Sequence, residues 1–183
     1  MRFLIFILLV FCSLSLCAQP SQEYTNPEGG YAFKPLIGWT VRTKSNESFA
    51  YAPEDGNMDS WSEKLDFSIA DGDGIELEDA FDFYINTDFP TAYKKFKLIG
   101  KGDEQINGLS AKWALFTFSA FGEAAGATGS GDSALTATLQ AVFYVIKKDK
   151  SLYLVNGVAE KSLYPKFDLY FRTIIRTFRV KND

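Results

Sequence analysis

Histidine does not occur anywhere in the 183 residues. Its absence removes Ser-His-Asp and Cys-His catalysis, histidine-ligated zinc, and the usual general base near neutral pH. Cysteine is almost as scarce: Cys12 and Cys17 are the only two, and both lie in the apolar N-terminal segment. Removal of that segment would also remove thiol nucleophiles, cysteine metal sites and any disulfide framework. Carboxylate, Ser-Lys and tyrosine chemistry remain. After the first segment, no apolar run approaches the roughly twenty residues that a membrane-spanning helix needs. Positive charge is not in excess either, since 19 Lys plus Arg stand against 23 Asp plus Glu. Such a balance repels a phosphate backbone, so nucleic acid is not an expected partner.

What is present begins with an export signal. Arg2, an apolar stretch over 3–11, and the smaller residues Ser13, Ser15 and Ala18 follow the order of a signal peptide. Cleavage after Ala18 satisfies the small-residue rule. The alternative makes Cys17 a lipidated first residue, but bulky Leu16 precedes it where such signals want a small side chain. The expected product is secreted or periplasmic, with residues 19–29 as an exposed lead-in and 30–180 as a single domain. Without disulfides it must be held by a hydrophobic core, and a chain of this length can bury roughly 70% of its unfolded surface.

Strand signals dominate that domain. Tyr31 to Phe33, Thr40 to Arg42 and Ser48 to Tyr51 are short candidates, with a turn at Pro35, Gly38 and Trp39. Leu65, Phe67 and Ile69 alternate with Asp66, Ser68 and Ala70, the period of a strand with one buried face. Leu77, Ala80, Phe81, Tyr84 and Ile85 then fall at helical spacing. This predicts a helix over 76–87, with Asp73 and Glu76 forming a capping box. Strands resume at Phe96, turn at Asn107-Gly108 and continue to Phe121. A small-residue loop over 122–133 leads to a pair of strands over 134–147 and 152–159. Both are apolar on both faces, Leu139, Ala141, Phe143 and Val145 against Val142, Tyr144 and Ile146, so both faces need covers. Leu163, Phe167, Tyr170, Phe171, Ile174 and Phe178 make one helical stripe that can supply a cover. The expected fold is α+β, an α/β/α sandwich whose central, mainly antiparallel sheet carries helices on both faces. Within the last helix, Phe171 should be buried and Arg172 should point outward.

The order of these pieces resembles the PsbP-like domain family: a strand, then Pro35 to the Gly38-Trp39 pair, an early helix and the Asn107-Gly108 hairpin. Two aromatic strands, a helix and the closing Ile174-Ile175-Arg176-Thr177-Phe178-Arg179 complete it. That fold is shared with the Ran-binding Mog protein and with many bacterial envelope proteins. The resemblance spans about 30–180 and implies an α/β/α sandwich with a non-catalytic binding or accessory role. It transfers no ligand residues.

Three constellations could carry chemistry. Asp55, Asn57 and Asp59, with Glu63 and Asp66, occupy alternate ligand positions of a calcium loop, but Ser60 stands where the sharp turn wants glycine. The acidic run Asp71, Asp73, Glu76, Glu78, Asp79 and Asp82 has no Lys or Arg between Lys64 and Lys94, and suits a solvated helix start. The 122–133 loop lacks the Lys-Ser/Thr ending of a phosphate loop. The aromatics Trp39, Trp113, Phe143, Tyr144 and Tyr153 fit core positions. No catalytic, cofactor-binding or metal residue is therefore assigned, and no cofactor is expected. The expected function is an exported non-enzymatic binding or accessory domain for a protein or small-molecule partner in the cell envelope. The alternatives are a carboxylate- or Ser-Lys-based hydrolase and a weak extracellular calcium-binding protein.

Overall fold

The computed structural model describes residues 20–52, 63–119 and 137–181. Seven strands form one antiparallel sheet: β3 (Thr40–Lys44), β4 (Glu47–Tyr51), β5 (Glu63–Asp71), β6 (Lys94–Ile106), β7 (Leu109–Ser119), β8 (Thr138–Lys148) and β9 (Ser151–Glu160). Their spatial order is β3-β4-β5-β9-β8-β7-β6. A second antiparallel sheet is built from β1 (Tyr24–Asn26), β2 (Tyr31–Phe33) and β10 (Arg179–Val180), in the order β1-β2-β10. The last strand thus returns to the start of the domain.

Local chemistry sets the hairpins. Asn107 and Gly108 have φ of 49° and 82°, so the β6–β7 connection has the doubly left-handed backbone that matches strand twist. Asn107 also reaches beyond its own turn, where its Nδ2 donates to the carbonyls of Arg176 and Phe178 at 3.1 and 2.7 Å.

The segment expected to be an exposed lead-in is instead part of the fold. Pro20 bridges to Leu36, Tyr24–Asn26 is strand β1, and Asn26 is fully buried. The physical reason is hydrogen bonding. Asn26 Nδ2 donates to Ser48 Oγ at 3.0 Å and to Tyr31 Oη at 3.2 Å, while its Oδ1 accepts the Gly29 amide at 2.9 Å. A polar side chain that finds partners on three segments can be buried at little cost.

Alternation along β8 divides its apolar side chains between two cores. Val142, Tyr144 and Ile146 pack in one cluster with Tyr31, Phe33 and the residues Phe167, Phe171, Ile174 and Ile175 of α3 (Tyr164–Ile175). Ala141, Phe143 and Val145 join the other with Ala80 and Phe81 of α1 (Leu77–Phe83), followed by Ile85 and Phe89. Gly157 of β9 lets α3 approach closely: a Cβ there would stand 2.7 Å from Phe171 Cγ.

The first helical region differs from expectation at both ends. Glu76 is the N-cap but makes no side-chain capping bond, and Asp73 pairs with Lys150 at 2.9 Å, so the capping box is not formed. Beyond α1 the chain widens into a π-helical stretch, Tyr84–Asp88, and then α2, Phe89–Ala92. Phe89 N–H reaches back five residues to the Tyr84 carbonyl. Pro90 explains the change of register, because it has no N–H with which to continue the i→i−4 ladder.

Candidate functional site

The face of the sheet that meets α1 is apolar over β7 and β8 and polar over β5. Phe49, Asp66, Asn156 and Phe143 are successive Cα partners across β4, β5, β9 and β8. Together with Glu47, Ser68 and Leu154 from the strands, and Tyr84 and Phe89 from the π-helical stretch and α2, they line an open cavity of about 220 Å³. The helical region packs on β7 and β8, and the cavity lies beside it where the polar row of β5 begins. Tyr84, Phe89 and Phe143 form a mutually packed wall, with Phe89–Phe143 and Tyr84–Phe143 centroids 4.8 and 5.2 Å apart.

Within this setting Asp66 Oδ2 meets Lys64 Nζ at 3.0 Å, and the same ammonium lies 5.9 Å from the Phe49 ring centroid. Asp66 Oδ1 and Asn156 Oδ1, on directly paired residues, are buried and have no hydrogen-bond partner among the described residues. Native folds satisfy most buried acceptors, so two adjacent exceptions point to a function or to a missing donor. Burial raises the Asp66 carboxyl above the ordinary carboxylate range. Lys64 opposes that shift and the nearby Glu47 carboxylate adds to it. A π-helical turn over such a cavity agrees with the tendency of these turns to occur at functional sites.

A second polar cluster, on the α3 side, is closed upon itself. Arg172 Nε donates to both Asp168 oxygens at 3.1 Å and Nη1 donates to Tyr144 Oη at 3.0 Å. Tyr144 donates to Glu104 Oε2 at 3.0 Å, Arg176 Nε to Glu104 Oε1 at 3.1 Å, and Tyr164 to Asp168 Oδ1 at 3.0 Å. The guanidinium also stacks over Trp113 with 5.2 Å to its centroid. Arg172 therefore does not point outward as expected; its side chain is 20% exposed. Burial pushes both Tyr144 and Tyr164 upward in pKa. Each phenol stays protonated and serves as a donor in a satisfied network, which leaves it no reactive proton acceptor to offer.

Four of the six acids in the run meet lysines that are remote in sequence. Asp73 meets Lys150, Glu76 meets Lys147 at 3.7 Å, Glu78 meets Lys112 at 2.5 Å and Asp82 meets Lys101 at 3.6 Å. These contacts fasten α1 to β6, β7 and the β8–β9 hairpin. Asp55, Asn57 and Asp59 of the calcium set, and the 122–133 loop, lie outside the described residues. The remaining two members of that set, Glu63 and Asp66, are three apart on one strand and so project to opposite faces; they cannot converge on one ion. Among the described residues no group of three or more Cys, Asp or Glu is placed to hold a metal, and no helix is long and apolar enough to cross a membrane.

No protein-family model matches the chain, and neither does any curated protein. Solved structures do. Cyanobacterial PsbP (CyanoP) from Synechocystis sp. PCC 6803 superposes with a TM-score of 0.56 at 14% identity, covering 87% of this chain and 91% of that one. The Ran-binding protein Mog1p of Saccharomyces cerevisiae gives 0.58 at 12%, covering 88% and 96%. LpqN of Mycobacterium tuberculosis, involved in cell envelope biogenesis, gives 0.55 at 12%, covering 88% and 91%. The chain has the PsbP/Mog1-like α+β fold, as its order of elements implied.

Proposed function

We propose that the chain is an exported, non-enzymatic binding domain that holds a small molecule in the cavity between β5, β9 and the π-helical stretch. The observation that carries this reading is the pair of buried oxygens on Asp66 and Asn156, unpartnered among the described residues, in a pocket walled largely by aromatic rings. Small-molecule sites combine apolar walls with a few placed polar groups in this way. The structural neighbours support a binding role in general, since they include a Ran-binding protein and one involved in cell envelope biogenesis.

The two-sided sandwich belongs to the same reading. The split of β8 side chains between the α3 cluster and the α1 cluster supports helices on both faces. Removal of residues 1–18 would leave one domain that begins at Gln19, and N-terminal sequencing of the exported protein checks this; a lipid-modified Cys17 would contradict it.

A hydrolase is the weaker reading. Glu47 and Asp66 share the cavity, but they stand on adjacent strands of one wall and do not face each other across a bond to be cleaved. Lys64 and Ser68 are four residues apart along β5, roughly 13 Å, and the lysine is engaged by Asp66. Native mass spectrometry of protein purified from the exporting cell tests the binding reading. A bound small molecule is expected in the wild type and its loss in Ser68→Phe, which fills the cavity. Retention by that variant would place the ligand elsewhere.

A further inference from the structure

The charges around the cavity single out a ligand class. Two carboxylates, Glu47 and Asp66, are among its lining groups, and aromatic rings of Phe49, Tyr84, Phe89 and Phe143 make up most of the rest. Ring faces carry negative potential and attract cations, more strongly when water is excluded. The protein already places one ammonium against this combination: Lys64 Nζ, 3.0 Å from Asp66 Oδ2 and 5.9 Å from the Phe49 centroid. Lys64 pairs with Asp66, and the Glu47 carboxylate lies near enough to Asp66 to act on it with the opposite sign. Arg42 and Lys44 on β3 pair with Phe49 and Glu47 across the strands but are exposed and are not among the lining residues. Among the described residues no donor meets the acceptors Asp66 Oδ1 and Asn156 Oδ1.

We propose that the cavity binds a small organic ammonium ion, its nitrogen between the Glu47 and Asp66 carboxylates and its alkyl groups against Tyr84, Phe89 and Phe143. The volume of about 220 Å³ equals that of roughly seven waters, room enough for a compact ion. This inference rests on the binding reading above and adds the charge of the ligand.

The test is a titration of the exported chain followed by backbone-amide NMR, with choline chloride as the cationic probe and 3,3-dimethylbutan-1-ol as its uncharged isostere. Choline should move the amides of Asp66, Asn156 and Tyr84–Asp88 saturably, and the alcohol should bind at least about tenfold more weakly. Glu47→Gln should reduce choline to the level of the alcohol, with the same spectrum reporting that the variant is folded. Asp73→Ala, an acid distant from the cavity, should leave choline binding unchanged. Equal binding of the two probes overturns the charge assignment and leaves the cavity as a ligand site. Movement by neither probe overturns both. An equal loss in Glu47→Gln and Asp73→Ala overturns the local role of Glu47.

Discussion

Gly157 and Phe171 bring α3 close against the sheet, and their coupling can be measured. Phe171 is fully buried, with Trp39 edge-on at 6.3 Å and Phe167 stacked at 6.1 Å. Truncation to alanine should cost about 3–5 kcal/mol, the transfer of a large aromatic plus the cavity left behind. That is a large share of the roughly 5–15 kcal/mol that stabilises an ordinary domain. Gly157→Ala acts from the opposite side. Its new Cβ would fall 2.7 and 2.8 Å from two ring carbons of Phe171, and overpacking of this kind costs about 1–3 kcal/mol. In the double mutant the ring that the added methyl would strike is gone, and the methyl occupies part of the hole. The combined loss should therefore fall short of the sum by about 1–3 kcal/mol, within the range for residues in contact. Urea denaturation of the four proteins gives the cycle. Additivity to within about 0.5 kcal/mol would mean that the two residues do not touch, and that α3 is not seated on β9 as described.

Arg172→Ala should cost about 1–3 kcal/mol, because it strands Asp168 and removes a donor from Tyr144; Arg172→Lys should recover only part of this, since an ammonium cannot form the guanidinium fork. A chemical melt in which both variants match the wild type would contradict the network. For Asp66, whose folded carboxyl titrates above its unfolded value, the sign follows from linkage. Its contribution is most favourable at or below the unfolded aspartate pKa of about 3.9 and declines as pH rises through the folded value. Stability measured against pH should show the wild type losing ground to Asp66→Asn over that rise, and parallel curves would refute it. Asn107→Gly should cost about 1 kcal/mol through loss of the bonds to Arg176 and Phe178, and Asn107→Ala should cost more because φ there is +49°. Equal melting points for the two variants would show that the backbone is not held in the left-handed region.

Strand identity, the Asn107-Gly108 hairpin and the buried Phe167, Phe171 and Ile174 of the last helix were legible because each rests on local periodicity or turn chemistry, whereas Leu163 is exposed and Phe178 lies past the helix end. What escaped depends on contacts between remote segments. Tyr24–Asn26 looks like a polar tail until Ser48 and Tyr31 arrive to satisfy Asn26. Arg172 looks like a surface residue beside a buried phenylalanine, yet Tyr144 on β8 and Asp168 one turn earlier give it reason to turn inward. The acids of the 71–82 run appear uncompensated in sequence, and lysines for four of them come from β6, β7 and the β8–β9 hairpin. The cavity was hidden most deeply, since Asp66 and Ser68 alternate as an ordinary polar face would. The one available signal was Asn156, a lone amide inside the apolar run of β9.

Strand β6 runs for 13 residues with a neighbour on one side only among the described residues, and its pairing with β7 shifts register between Lys94 and Lys97 and again between Leu98 and Gly100. A free edge of that length could template the addition of a foreign strand, and Leu98 and Ile99 are exposed upon it. The irregular spacing prevents a straight partner from finding consecutive amides and carbonyls, and Lys94, Lys95, Lys97 and Lys101 would bring like charges together if two copies met edge to edge. At the opposite margin, β3 is five residues long and carries Arg42 and Lys44. Among the described residues both margins of the sheet thus resist growth, and a chain crowded among its own copies can keep its hydrogen-bonding capacity to itself.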